Sequence, residues 1–231
     1  MTHRVPPRAN DGSGAVSGHG LFLALEGVEG VGKTTQARLL GEWLGELGLP
    51  YTLAREPGGT PVGEAIRQVL LDSGAMAVPD ETELLLMLAA RAAFVRGVVL
   101  PTLKRGEVMV TDRFELSTFA YQGAGRGLPL DRIRSLNAFA TGGVRPDLTL
   151  VFDVPVEHGQ ARQRAAGKLQ DRIEGEGNAF LERVRAGYLA MAAKDESVVV
   201  IDAGPPEDQV HARVRELLQL RFPEPFRPTR G

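Results

Sequence analysis

Short apolar runs alternate along the chain with longer stretches in which apolar residues recur at helical spacing. Leu21–Leu25, Tyr51–Ala54, Val108–Thr111, Leu148–Val154 and Val198–Asp202 have the length of buried strands. The third of these ends at Asp112, and the fourth is bounded by Pro146 and Pro155. After Lys33, the residues Leu40, Trp43, Leu44 and Leu47 fall on one helical face until Gly48 and Pro50 end the pattern. Residues 61–72, 80–96, 130–141, 155–166, 178–193 and about 205–220 also read as helices. Strands alternating with helices predict an α/β chain, a five-stranded parallel sheet with helices on both faces in three layers. Such sheets bind ligands at the carboxyl ends of their strands, where Glu26, Arg55, Asp112 and Asp153 fall.

Composition narrows this little but excludes several classes. The chain has 231 residues, long enough to bury a core without staples. It has no cysteine, which removes disulfides, thiolate nucleophiles, cysteine zinc sites and iron–sulfur clusters. The four histidines are scattered and suggest no metal cluster. The formal net charge is −2, against the basic balance of a general nucleic-acid binder. No uncharged apolar run approaches the ~18 residues of a membrane span, and Gly, Ser and Asp follow Arg8 where a signal peptide needs an apolar core. Residues 1–19, rich in Gly and Pro, are expected to be a flexible tail, and residues 222–231 a Pro-rich extension. That leaves one domain over residues 20–221.

Gly27-Val28-Glu29-Gly30-Val31-Gly32-Lys33-Thr34 fits G-x-x-x-x-G-K-[ST], with Thr35 next in the chain. The glycines let backbone N–H groups turn inward around phosphate oxygens, Lys33 adds a charge at the β/γ phosphates, and the Thr34 hydroxyl is suited to magnesium. A strand precedes the motif and an amphipathic helix follows, as phosphate binding at a helix N-terminus requires. The motif points to a nucleoside triphosphate with Mg2+ and leaves the reaction open.

Four further segments bear on the reaction. Arg55-Glu-Pro-Gly-Gly-Thr60 follows the second strand, Leu88-Ala-Ala-Arg91 lies in a helix, Asp112 to Gly123 follows the third strand, and Asp171-Arg-Ile-Glu174 closes a stretch with Arg162, Arg164 and Lys168. Each also has an ordinary reading, as a turn, a solvated helix face, an ion pair and an exposed loop. Together they resemble the thymidylate kinase family over about residues 20–215. The resemblance implies a P-loop nucleotide-kinase fold and transfer of a phosphoryl group from ATP to dTMP, giving dTDP for dTTP synthesis. It assigns the dTMP phosphate to Arg55 and Arg113, the thymine edge to Arg91, the sugar 3′-hydroxyl to Glu29, the base to Thr118 and Gln122, and the crowding of C2′ to Tyr121. It gives Asp112 to magnesium beside Thr34, and makes residues 162–177 a lid over ATP. It further implies a cytoplasmic homodimer, with Leu84–Met87 as a face that is equally readable as core. Gly30 follows Glu29, so the loop lacks the arginine that some members carry there. Arg164 and Arg172 of the lid are the substitutes, joining Lys33 and Arg113 as the catalytic set.

The sequence departs from the family pattern in three places. Met87 stands where an aromatic often stacks on thymine, Phe114 stands where Tyr or His commonly follows Asp-Arg, and Gln170 is an extra lid residue. The rival readings are a kinase for another nucleotide and a regulatory ATPase. A GTPase switch is disfavoured because Asn10, Asn137 and Asn178 sit in no Asn-Lys-x-Asp context.

Overall fold

The computed structural model of the chain describes residues 3–5, 20–71, 77–167 and 172–226. Its strands are β1 (His3–Val5), β2 (Phe22–Glu26), β3 (Tyr51–Arg55), β4 (Val108–Asp112), β5 (Leu148–Asp153) and β6 (Val198–Asp202). They form one sheet in the order β1-β3-β4-β2-β5-β6. The five strands from β2 to β6 are parallel, as expected. The addition is β1, which pairs antiparallel with β3 through His3↔Leu53 and Val5↔Tyr51. It falls inside the stretch expected to be tail. Apolar content does not foresee it, because an edge strand offers unpaired backbone N–H and C=O groups to any extended segment.

Alternation along β2 divides the core. Leu21, Leu23 and Leu25 point into the larger cluster, shared with α1 (Lys33–Glu46), α8 (Asn178–Ala192) and α9 (Glu207–Arg221). Phe22 and Ala24 point the other way, onto Phe94, Val95, Val98 and Val99. A residue period of two on a strand covered on both sides produces this split. α2 (Pro61–Leu71), α3 (Asp80–Phe94), α4 (Leu100–Lys104), α5 (Glu115–Thr118), α6 (Leu130–Thr141) and α7 (Val156–Ala165) complete the helices, with π-helical segments at Val95–Val99 and Phe119–Gly125.

Two expectations need correction. The helix expected over 80–96 runs on to Lys104 through the π-helical turn, and this 25-residue helix is long and apolar enough by composition to cross a membrane. Here it carries the buried, paired Glu83 and Arg91 and packs Phe94 and Val99 against the sheet. The C-terminal extension also docks: Phe226 is fully buried and stacks on Trp43, with ring centroids 5.2 Å apart. The prolines around it hide an aromatic anchor that helical periodicity does not detect.

Candidate active site

The phosphate loop joins β2 to α1. Gly27, Gly30 and Gly32 all have positive φ, which a side chain would strain. A Cβ on Gly27 would also strike the Phe152 carbonyl, and one on Gly30 the Gly159 carbonyl, so the glycines serve close backbone approach as well as turning. A Cβ on Gly32 would meet nothing within 4 Å, so only its φ of 95° demands glycine there. Lys33 is 5% exposed, and its Nζ donates to the Val28 carbonyl at 2.8 Å and lies 4.0 Å from Glu29. Burial first, and then the Arg113 charge, lower its pKa from the ordinary lysine value. An ammonium under such stress gains most from an anion placed against it. Thr34 Oγ1 donates to Asp112 Oδ2 at 2.9 Å. Beside this loop an open cleft of about 560 Å3 extends past Gln36 and Arg162 to the turn Ala203–Glu207. Arg162 holds that turn by donating to the carbonyls of Ala203 (2.9 Å) and Gly204 (3.2 Å).

Arg113 is the hub between this cleft and a second cavity. Its φ of 76° is the one positive value at a non-glycine among the described residues, a conformation that persists only when the surroundings over-determine it. They do. Arg113 Nη1 donates to the carbonyl of Gly27 (3.1 Å), to Ser117 Oγ (3.1 Å) and to Tyr188 Oη (3.3 Å). Nη2 donates to Glu29 and to Tyr121 Oη. Behind it Glu26, fully buried, accepts from the N–H groups of Phe114 (2.8 Å) and Ser117 (3.1 Å), from the Ser117 hydroxyl (2.6 Å) and from the Tyr188 hydroxyl (2.9 Å). Burial raises the Glu26 pKa, and these donors oppose it. The Asp112–Ser117 turn is thus fixed from below by a carboxylate at the end of β2. The sequence places Glu26 at a strand end but not in this role.

The second cavity is lined by Glu29, Met87, Arg91, Arg113, Thr118, Tyr121 and Gln122, each a site candidate from the sequence, and also by residues the sequence did not single out, Glu56 and Arg67 among them. Glu29 lines both cavities and marks their junction. Arg91 is 3% exposed and every nitrogen of its guanidinium has a protein acceptor. Nε and Nη2 meet Glu56 Oε2 at 2.8 Å, Nη1 donates to Thr118 Oγ1 (2.8 Å) and Asn137 Oδ1 (2.9 Å), and Nη2 donates to the Phe114 carbonyl (2.8 Å). It reaches the cavity as a rigid positive wall. Glu56 has its other oxygen buried with no hydrogen-bond partner. Burial pushes its pKa up to about 7 against the pull of Arg91.

Arg55 is not among the lining residues. It stands at the end of β3, donating to Glu64 Oε2 at 3.0 Å, while Arg67, which the sequence reading passed over, lines the cavity and donates to the Pro57 carbonyl at 3.0 Å. Met87 lines the cavity and also packs against the main core. The π-helical turn at Phe119–Gly125 presents Tyr121 and Gln122 to the same cavity. A π-bulge re-aims side chains in this way at functional sites, and no sequence period reveals it.

Of the lid, residues 168–171 and the Glu174 side chain lie outside the described part, including Lys168, Gln170 and Asp171. Arg164 is exposed on α7. Arg172 donates Nε to the Leu70 carbonyl (3.0 Å) and Nη2 to Glu83 Oε2 (2.5 Å). The structure therefore brings Lys33, Arg113, Thr34 and Asp112 together at the loop, whereas Arg172 is engaged by the Leu70 carbonyl and by Glu83, the partner of the cavity residue Gln122.

Comparisons with known proteins agree with this geometry. The thymidylate kinase family profile matches residues 25–214. A thymidylate kinase of Pseudomonas fluorescens strain Pf-5 is 51% identical over 200 residues, covering 86% of this chain and 95% of its own. One from Desulforudis audaxviator is 49% identical over 208 residues, covering 87% of this chain and 93% of its own. The crystal structure of thymidylate kinase from Ehrlichia chaffeensis superposes with a TM-score of 0.69 at 32% identity, covering 87% of this chain and 99% of that one. With its phosphate loop, its arginine hub and its paired cavities, the chain belongs to the thymidylate kinase family and uses ATP to phosphorylate dTMP to dTDP.

Proposed function

We propose that ATP lies in the cleft beside Gly27–Thr35 and dTMP in the cavity walled by Arg91 and Gln122, so that the two phosphates meet at Arg113. One observation carries this reading: Arg113 and Glu29 sit at the junction, and Arg113 is tied to both sides, to Gly27 of the loop and to Tyr121 of the second cavity. Phosphoryl transfer asks a protein mainly for positioning and charge stabilisation, and a guanidinium fixed by five acceptors is suited to both. Lys33 exchanges the Val28 carbonyl for the donor's β/γ oxygens. Arg55 and Arg67 reinforce Arg113 at the dTMP phosphate, and Thr118, Gln122 and Met87 form the base site. Glu29 takes the sugar 3′-hydroxyl and Tyr121 crowds C2′.

The Thr34 hydroxyl and the Asp112 carboxylate are hard oxygen donors 2.9 Å apart and fit magnesium. Among the described residues no cluster of three metal-ligating side chains exists, which suits an ion completed by phosphate and water oxygens. When bound, the ion neutralises charge developing on the transferring group. Arg164 and Arg172 are the lid's cations, and Arg172 serves catalysis by leaving Glu83. The chain acts as a cytoplasmic homodimer, with no nucleic-acid or membrane partner, through the face of α3 and α6. There Leu85, Leu136 and Phe139 are 56%, 39% and 85% exposed, while Leu84 is core.

A coupled assay of ADP formation across nucleoside monophosphates tests the reading. ADP should form with dTMP, weakly with dUMP, and only with Mg2+. Arg172→Ala should lower kcat ~10³-fold with little change in the KM for dTMP. ADP release without any acceptor, or turnover that survives chelation, overturns it.

A further inference from the structure

Glu83 lies in the first turn of α3 and is fully buried. Its Oε1 accepts from Gln122 Nε2 at 2.8 Å and Arg126 Nε at 3.3 Å, and its Oε2 from Arg126 Nη2 at 3.0 Å and Arg172 Nη2 at 2.5 Å. Arg126 is itself held by Glu176 at 2.6 Å and by Asp80 at 3.3 Å, and lies over the Phe180 ring. Burial alone would raise the Glu83 pKa. The hydrogen bonds from Arg126, Gln122 and Arg172 outweigh it and hold the group below the usual glutamate value, as an anion.

A carboxylate can only accept hydrogen bonds, so it must meet the amino end of the Gln122 amide. The amide is planar, and its oxygen is therefore turned to the opposite side. Gln122 lines the acceptor cavity, and this oxygen takes no hydrogen bond from the described residues. A pyrimidine dione such as thymine offers a donor at N3–H, whereas neutral cytosine offers an acceptor at N3. An oxygen held in place attracts the first and faces the lone pair of the second. A glutamine free to rotate would present either end and distinguish neither.

We propose that Glu83 is a positioning residue that locks the Gln122 amide with its oxygen toward the acceptor base and so sets the preference for a dione pyrimidine over cytosine. The inference rests on the base-site reading given above. Specificity of this kind comes as much from opposing the wrong ligand as from favouring the right one. The same carboxylate receives Arg172, so base reading and the lid meet at one buried anion.

The test is the ratio of kcat/KM for dTMP to that for dCMP. Glu83→Gln keeps the shape but lets both amides rotate. The ratio should fall about tenfold or more, through a gain for dCMP as well as a loss for dTMP, with the ATP KM unchanged. A residue that merely supported the fold would lower both efficiencies together, and an unchanged ratio overturns the proposal. The exchanged pair E83Q/Q122E restores an acceptor-only group at 122 and should recover the wild-type ratio. It is also the readout if Glu83→Gln alone fails to fold, in which case a ratio that has dropped toward one overturns the proposal. Gln122→Leu separates the two levels. If it leaves the ratio intact, the base-site reading itself is wrong. If it collapses the ratio while Glu83→Gln does not, that reading stands and the role of Glu83 is lost.

Discussion

The donor cleft and the acceptor cavity are built from different materials. The phosphate-binding wall of the cleft is one continuous segment, Gly27–Thr35, shaped by its backbone and glycines and carrying the buried cation Lys33, while Arg162 and the turn after β6 close the far side. The cavity is made by side chains from segments scattered along the chain: Glu29, Glu56, Met87, Arg91, Arg113 and Gln122. A triphosphate is the same in every reaction that uses it, so a local backbone cradle suffices. Telling one nucleotide from another needs oriented polar groups, and these stay oriented only when buried partners hold them. The cavity is therefore walled by the buried Glu56 and Arg91 and backed by the buried Glu26 and Glu83, whereas Lys33 is the buried charged group of the cleft's phosphate loop.

Among the substitutions that probe this comparison, removing the cleft's buried cation should give the largest effect. Lys33→Ala takes away the charge at the donor phosphates while sparing Arg113 and the cavity wall. We expect kcat/KM for ATP to fall about 10²–10³-fold, with dTMP binding by calorimetry changed little. The fold should survive, because burial already disfavours the Lys33 charge. Near-wild-type turnover would show that the cleft does not depend on Lys33. A parallel loss of dTMP binding would show that the two regions are not separable.

Glu56 sharpens the other side of the comparison. Its pKa is pushed up to about 7 by burial, partly offset by Arg91, with Glu26 and Glu115 adding to the rise. Between the ordinary glutamate value of 4.5 and about 7, the folded chain keeps a proton that the unfolded chain has released. Stability from this group is thus complete below 4.5 and is lost as pH rises toward 7, by on the order of 3 kcal/mol. Glu56→Gln holds no such proton. Its Tm should gain on that of the wild type by several degrees between pH 5 and pH 7.5. A Tm difference that is the same at both pH values would mean that Arg91 keeps Glu56 ionised throughout.

The same division explains what the sequence made legible. The cleft and the five parallel strands were readable because their signals are local: a fixed glycine spacing, short apolar runs and a strand before a helix. Arg91, Arg113, Thr118 and Gln122 were readable by family resemblance, since nothing in residues 80–96 marks one arginine as buried. The partners Glu56, Glu83, Ser117 and Tyr188 were missed, because a buried polar partner is recognisable only by the groups that converge on it. In Asp80-Glu-Thr-Glu-Leu-Leu-Leu the one usable hint was an acidic residue on the flank of an apolar run. That hint does not separate Glu81, which is exposed, from Glu83, which is not. The π-helical turns and the docking of Phe226 have no periodic signature at all.

The smallest expected effect tests whether the cavity's apolar wall reads the base or only closes the core. Met87 does both in the structure, touching the main core cluster while lining the cavity beside Arg91 and Gln122. A flexible thioether can lie on a ring face without ordering it sharply. An aromatic ring stacked on a base contributes ~1–3 kcal/mol by alanine substitution in other base-binding proteins. Met87→Phe should gain a fraction of that and tighten dTMP severalfold, leaving the ATP KM unchanged. If the cavity side of Met87 has no room, the larger ring overpacks instead and costs ~1–3 kcal/mol of stability. Calorimetric titration with dTMP together with a thermal melt distinguishes the two. Tighter binding at an unchanged Tm places the residue in base recognition. Unchanged affinity at a lowered Tm assigns it to the core, and the base site would then have to find its apolar contact elsewhere along the cavity wall.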